Sequence, residues 1–234
     1  MWTINNFNDW IIQGRTINKN VIELNISNSD IEILGKLENL INLKKLYCYN
    51  NKLTSLEGIE NLVNLEHLDC ENNKLTSLEG IENLSNLEHL DCKNNKLTSL
   101  EGIENLVNLK HLNCGCNLLT SLEGIQNAIN LNHFRCYDNK LTSLEDIEHF
   151  LNLDFLYCGM NQLRVLETIE ILIKLIKNNK RLINNLDYDV INFEEFNELE
   201  KLFDMFLKNK NNKDIEEIEQ MIVKLNGFQK YVLK

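Results

Sequence analysis

From Val21 onward the sequence repeats every 22 residues without an insertion. Seven units, beginning at Val21, Leu43, Leu65, Leu87, Leu109, Leu131 and Leu153, fill residues 21–174. An exact period of this length describes one small structural unit stacked many times, each copy burying its apolar face against its neighbours. No other feature narrows the fold so far. The unit that begins at Leu65 reads LEHLDCENNKLTSLEGIENLSN, with apolar side chains at places 1, 4, 6, 11, 14, 17 and 20 and Asn at place 9.

Places 3 to 7 alternate, which predicts a short strand with Leu68 and Cys70 facing inward and His67, Asp69 and Glu71 facing out. One strand per unit gives a parallel sheet with a spacing of about 4.8 Å. The recurring Asn51, Asn73, Asn95, Asn117, Asn139 and Asn161 are expected to turn inward and satisfy backbone groups that a tight turn leaves without ladder partners. Leu53, Leu56, Ile59 and Leu62 then line the opposite side, and Gly58, Gly80, Gly102 and Gly124 mark a turn or a close approach of backbones. The first unit is degenerate, with Ser29 in the Asn place.

This pattern, L-x-x-L-x-L-x-x-N-x-L with Cys at the sixth place, resembles the leucine-rich repeat. The length is that of the 22-residue class seen in internalins and in phosphatase-regulatory leucine-rich proteins. The near-identical units and the Asn, Ile and Lys bias also resemble leucine-rich proteins of large amoeba-infecting DNA viruses. The resemblance covers about two thirds of the chain. It implies an α/β fold: a right-handed solenoid with a concave parallel sheet, an irregular or 3-10 convex side and a C-terminal helical cap.

Open solenoid ends expose core and need covers. Residues 1–20 are read as the N-terminal cap, with Trp2, Phe7, Trp10, Ile11 and Ile12 folding over the first coil. Residues 21–174 are the seven repeats, and 175–234 form a helical segment. A helical period takes over at this junction: Ile169, Leu172, Leu175 and Ile176 fit one helix, Phe193, Phe196, Leu199, Phe203 and Phe206 a second, and Ile215, Ile218, Ile222 and Leu225 a third.

The chain is 43% hydrophobic and 25% charged, which excludes wholesale disorder, and one residue in six is Asn while Pro is absent. The net charge of −11 divides as +1 for 1–20, −11 for 21–174 and −1 for 175–234. So acidic a body repels phosphate backbones, and no nucleic acid is expected as partner. Much of the acidity lies in Glu57, Glu60, Glu79, Glu82, Glu101 and Glu104, read as a solvated edge partly offset by Lys52, Lys74, Lys96 and Lys140. No stretch of about 18 apolar residues is present, so no membrane span is expected. The first residues lack a basic and then apolar leader, and the seven cysteines are an odd number; both point to reduced thiols in the cytoplasm, the host cytoplasm if the chain is viral.

Cys48, Cys70, Cys92, Cys114, Cys136 and Cys158 occupy one inward place in six units and are read as a packed thiol stack rather than disulfides or a metal chain. Cys116, at place 8, is expected to be exposed and oxidisable. The recurring His-x-x-Cys looks like half a zinc site, but residues three apart on a strand face opposite sides, so no metal is assigned to it. The stacked His67, His89, His111 and His133 leave two alternatives open: a transition-metal or pH-responsive binding row, or one tolerated His copied by duplication.

The outward strand positions change from unit to unit, as a specific surface needs. Tyr47 and Tyr49 lie at one end, His67, Asp69, His89, Asp91, His111 and Asn113 in the middle, and His133, Arg135, Tyr137, Phe155 and Tyr157 at the far end. Tyr and Arg are enriched among binding hot spots, and an acidic middle suits a protein partner with a basic segment. No phosphate-binding Gly loop, H-E-x-x-H or G-x-S-x-G is present, so no catalytic residue and no cofactor are assigned. The expected function is a non-catalytic intracellular adaptor or regulator. A structural or virion component is the alternative from another class, and the oligomeric state stays open.

Overall fold

In the computed structural model, residues 1–163 together with Ile171, Lys174 and Leu175 are described. Seven strands form one parallel sheet in chain order: β1 (Glu23–Asn25), β2 (Lys45–Tyr47), β3 (His67–Asp69), β4 (His89–Asp91), β5 (His111–Asn113), β6 (His133–Arg135) and β7 (Phe155–Tyr157). Each pairs with the next at an offset of one repeat, so Leu46 faces Leu68, Leu68 faces Leu90 and His67 faces His89. The solenoid expected from the period is the fold observed.

The strands are three residues long rather than the five that the alternation predicts. The cause is a left-handed residue at place 8 of each coil: Asn50, Asn72, Asn94, Cys116 and Asp138 have φ between 51° and 54°. That conformation turns the chain away, although the ladder persists one step further, with the Cys70 N–H donating to the Asp91 carbonyl at 2.9 Å. Asn is tolerated there better than most residues, and this explains the first Asn of each Asn-Asn pair.

The place-9 Asn holds the turn. The Asn73 Oδ1 accepts from the Leu53 N–H of the preceding coil at 2.9 Å, and its amide donates to the carbonyls of Cys48, Cys70 and Glu71. In the third unit Leu65, Leu68, Cys70, Leu75, Leu78, Ile81 and Leu84 are all fully buried, each contributing about 1.5–3 kcal/mol if fully transferred from water, less for Cys. The far side of each coil is built from tight turns, among them Leu62 N–H to Ile59 at 2.9 Å and Leu65 N–H to Leu62 at 2.8 Å, with 3-10 turns at Ile125–Asn127 and Glu145–Ile147. Gly80 sits at φ +105, where a side chain is strained, and its absent Cβ would meet the Leu56 carbonyl at 3.3 Å.

The acidic edge is not merely solvated. Both carboxylate oxygens of Glu60 accept from the Gly58 N–H, and those of Glu82 from the Gly80 N–H, at 2.8–3.1 Å. One oxygen of Glu104 accepts from the Gly102 N–H, and the Gln126 Oε1 from the Gly124 N–H, each at 2.8 Å. The side chain at place 18 is thus a turn cap that Glu or Gln can supply.

At the N-terminus, Trp2 adds a single bridge beside Leu24, its N–H donating to Glu23 and its carbonyl accepting from Asn25, each at 2.7 Å. Helix α1 (Ile4–Ile12) lays Phe7 and Trp10 on the first coil. Ile11 and Ile12 do not join them: Ile11, one turn after Phe7, is 36% exposed at the rim of the buried face, and Ile12, on the opposite side of the helix, is 82% exposed. At the other end Ile171 and Leu175 are buried against the same core, and the Lys174 ammonium lies 2.9 Å from Glu148. The two further helices expected after residue 190 lie outside the described residues. Among the described residues no helix is long and apolar enough to cross a membrane.

Candidate functional site on the strand face

The exact offset of 22 places equivalent residues side by side, so the strand face consists of columns. At place 3, His67, His89, His111 and His133 stand in one row that ends on Phe155. The ring centroids are 5.4, 4.3, 4.5 and 5.9 Å apart in that order, and the planes of His89 and His111 are 9° from parallel. Tyr47 closes the other end, 5.1 Å from His67. Rings stacked so flatly direct their nitrogen lone pairs side by side, whereas a shared metal ion needs them to converge. The geometry therefore supports stacking over chelation.

Burial drives His67, His89 and His111 toward the neutral form. His67 and His89 are held below the ordinary histidine range mainly by desolvation, and His111, with a neighbour on each side, is pushed down to about 4 by desolvation first and then by His89 and His133.

Place 5 carries Asn25, Tyr47, Asp69, Asp91, Asn113, Arg135 and Tyr157. Burial pushes the Asp69 carboxyl up to about 6, against the opposing pull of the Glu71 N–H that it accepts at 3.1 Å. Asp91 is raised too, mainly by burial, although it accepts from the Lys93 N–H and, at 3.0 Å, from the Asn113 amide. The oxygens of Asp69, Glu71 and Asp91 lie within 4.8 Å of one another. Among the described residues this is the one group of donors close enough to share a cation, and the Lys93 ammonium, 3.0 Å from Glu71, already supplies positive charge there.

The far end is aromatic. Tyr137 stacks on Tyr157 at 4.6 Å, and the Arg135 guanidinium lies 4.7 Å from the centre of the Phe155 ring. Tyr137 reaches back over Gly115, where a Cβ would fall 2.4 Å from the ring. Burial raises its hydroxyl to about 12.

All thirteen residues singled out from sequence, Tyr47, Tyr49, His67, Asp69, His89, Asp91, His111, Asn113, His133, Arg135, Tyr137, Phe155 and Tyr157, are half-buried and belong to this face. Cys116 departs from expectation. It is half-buried beside Tyr137 rather than exposed, and desolvation raises its thiol. The six other cysteines are fully buried. A hollow lined by Ser55, Glu57, Glu60, Glu79, Gly80 and Glu82 lies elsewhere, and its carboxylate walls do not suit an apolar ligand.

Residues 41–83 and 85–127 each match the family model for leucine-rich repeats in two copies. The fold is that of a leucine-rich repeat solenoid with a 22-residue period, and such repeats are a general scaffold for protein–protein interaction. Its fold is similar to an internalin from Listeria monocytogenes, with a TM-score of 0.64 and 22% identity over 68% of this chain and 46% of that one. It is similar to a leucine-rich repeat protein of Leptospira interrogans, with a TM-score of 0.61 and 28% identity over 74% of this chain and 50% of that one. Internalin C2 from Listeria monocytogenes gives 0.54 and 23%, over 68% and 78%. The chain thus spans about half the length of the first two structures. No curated protein matches the sequence.

Proposed function

We propose that the chain binds a protein partner on its strand face as a non-catalytic adaptor or regulator, and that the partner presents a basic segment. One observation carries this reading. The backbone frame repeats identically while the outward place-5 residue changes from Tyr47 through Asp69, Asp91 and Asn113 to Arg135 and Tyr157. Constant scaffold with variable presentation is how a stacked-repeat surface acquires specificity. The half-buried Asp69 and Asp91 carboxylates, pushed toward protonation by desolvation, gain most from an incoming lysine or arginine. A reducing, cytoplasmic setting fits seven free thiols, six of them in the core.

A second reading, a pH-responsive surface, is favoured by the stacked imidazole row, whose protonation would place like charges 4.3–5.4 Å apart beside the partner. Both are tested by capture from lysate followed by affinity measurement on the purified partner at pH 7.5 and 4.5, with Asp69→Asn as the control for the carboxylate that titrates near 6. The comparison is wild type against a Tyr47→Ala, Tyr137→Ala, Tyr157→Ala variant. Loss of binding in the variant supports the strand face; equal binding removes it. An affinity that does not change with pH removes the second reading.

A further inference from the structure

Away from the strand face, place 21 of each of the first six coils carries an exposed side chain, and five of the six are branched aliphatics. Ile41, Val63, Val107, Ile129 and Leu151 are 37%, 48%, 46%, 60% and 62% exposed, with Ser85 the one interruption. They follow one another at the coil spacing and form a ridge, broken once at Ser85, along the edge where the chain enters each strand. Scattered exposed aliphatics need no explanation, but a row repeated in register is a patch.

The backbone beneath the ridge is pinned. The following coil's place-22 Asn donates its amide to the place-21 carbonyl: Asn64 to Ile41, Asn86 to Val63, Asn108 to Ser85, Asn130 to Val107 and Asn152 to Ile129, at 2.8–2.9 Å. With those carbonyls engaged, the edge is poorly placed to accept an added strand, and recognition falls to the side chains. Their spacing of about 4.8 Å, one strand separation, is close to the helical pitch of about 5.4 Å. The i, i+4, i+7 face of a helix can therefore seat its side chains between successive ridge residues.

The flanks differ in charge. On the strand side, Lys44 pairs with Glu66 and Lys110 with Glu88, so that flank is neutralised within the chain. On the other side, Glu60, Glu82 and Glu104 stand three residues before the ridge positions and recur in one sign.

We propose that this ridge is a second docking surface, separate from the strand face, and that its occupant is an amphipathic helix of a partner protein with an aliphatic face and a basic flank toward Glu60, Glu82 and Glu104. The proposal does not depend on the strand-face reading, because none of its residues lies there.

The test uses the full chain and a labelled synthetic helical peptide with Leu at i, i+4, i+7 and i+11 and Lys along one flank. Fluorescence anisotropy compares wild type with Val107→Ser, Ile129→Ser, Leu151→Ser, substitutions that copy the native Ser85. Binding is expected to weaken about tenfold or more in the variant, and to weaken likewise for a peptide with Glu in place of Lys. Ser85→Leu, which fills the gap, is expected to tighten binding and keeps the test open should the triple variant melt early. No binding by wild type, equal binding to the triple variant or to a scrambled peptide, or no gain from Ser85→Leu overturns the proposal. Equal binding of the Glu peptide overturns its basic-flank partner. Dimerisation of the wild type in sedimentation that is lost in the triple variant also overturns it, since the occupant is then a second copy of this chain.

Discussion

His89 and His111 stack with ring centroids 4.3 Å apart and planes 9° from parallel, in the middle of a row that starts beside Tyr47 and ends on Phe155. Such a row is comfortable only while its members are neutral, because each added proton meets a neighbour of the same charge. His67, His89 and His111 thus present neutral ring edges at neutral pH and repelling charges once acid protonates them.

A pH dependence of stability follows. His67, His89 and His111 take up protons at lower pH in the folded chain than in the unfolded one, His111 near 4 against 6.5. Between those values the unfolded state binds more protons, so stability falls as pH falls. Asp69 works in the opposite sense: folded, it protonates near 6 against 3.8, so acidification through that range relieves its penalty. Melting curves from pH 7.5 to 4.5 are expected to show a shallower acid loss in His111→Asn and a steeper one in Asp69→Asn. The latter should start about 1 kcal/mol more stable than wild type at pH 7.5, after allowing for solvent screening at a half-exposed site. Parallel curves for all three would contradict the assignment.

Replacing Asn73 by Ala leaves the Leu53 N–H without its acceptor, while the carbonyls of Cys48, Cys70 and Glu71 each lose one donor and keep another, from Asn51, Asn95 and the Asn50 N–H. A buried donor left unpaired is expensive, and a loss of about 1–3 kcal/mol is expected by urea denaturation. A loss below that of an ordinary surface substitution would show that the Asn ladder does not hold the coils.

Gly115→Ala separates packing from backbone strain. Gly115 lacks the left-handed φ of Gly58, Gly80, Gly102 and Gly124, and what its Cβ would strike is the Tyr137 ring. The expected result is a changed near-ultraviolet circular dichroism signal, as Tyr137 leaves its 4.6 Å stack on Tyr157, with a stability change of about 1 kcal/mol or less. An unchanged aromatic signal would show that the ring does not rest on Gly115.

Thiol reactivity reports on the core. The Cys48, Cys70, Cys92 and Cys114 sulfurs lie 3.3–3.4 Å from the carbonyl oxygens of the next coil, and burial raises all six core thiols. With a thiol-specific reagent, only Cys116 is expected to react in the native protein, and slowly; the other six should appear on unfolding. Rapid reaction of several native thiols would contradict a closed core.

What the sequence made legible was whatever the exact period controls. In-register stacking of His67 on His89, inward Cys and the bonded place-9 Asn all follow from residues recurring at intervals of 22. Less legible was what depends on a local backbone angle or on two different places meeting. The role of Glu82 required knowing that the Gly80 N–H points at place 18. The seat of Tyr137 on Gly115 joins residues 22 apart and becomes visible only when each column is read across coils. The ridge at place 21 was present in the sequence as Ile41, Val63, Val107, Ile129 and Leu151, but repeat aliphatics read as core until their exposure separates them from the buried Leu62, Leu84 and Leu106.

The most direct test of strand-face binding is histidine footprinting of the captured complex with diethylpyrocarbonate, read by mass spectrometry. His67, His89, His111 and His133 lie on the face, while His149 is exposed in a far-side turn and serves as the internal reference. Binding on the strand face is expected to slow modification of the four several-fold and leave His149 unchanged. If the four react in the complex as fast as in the free protein, the partner does not sit on the strand face.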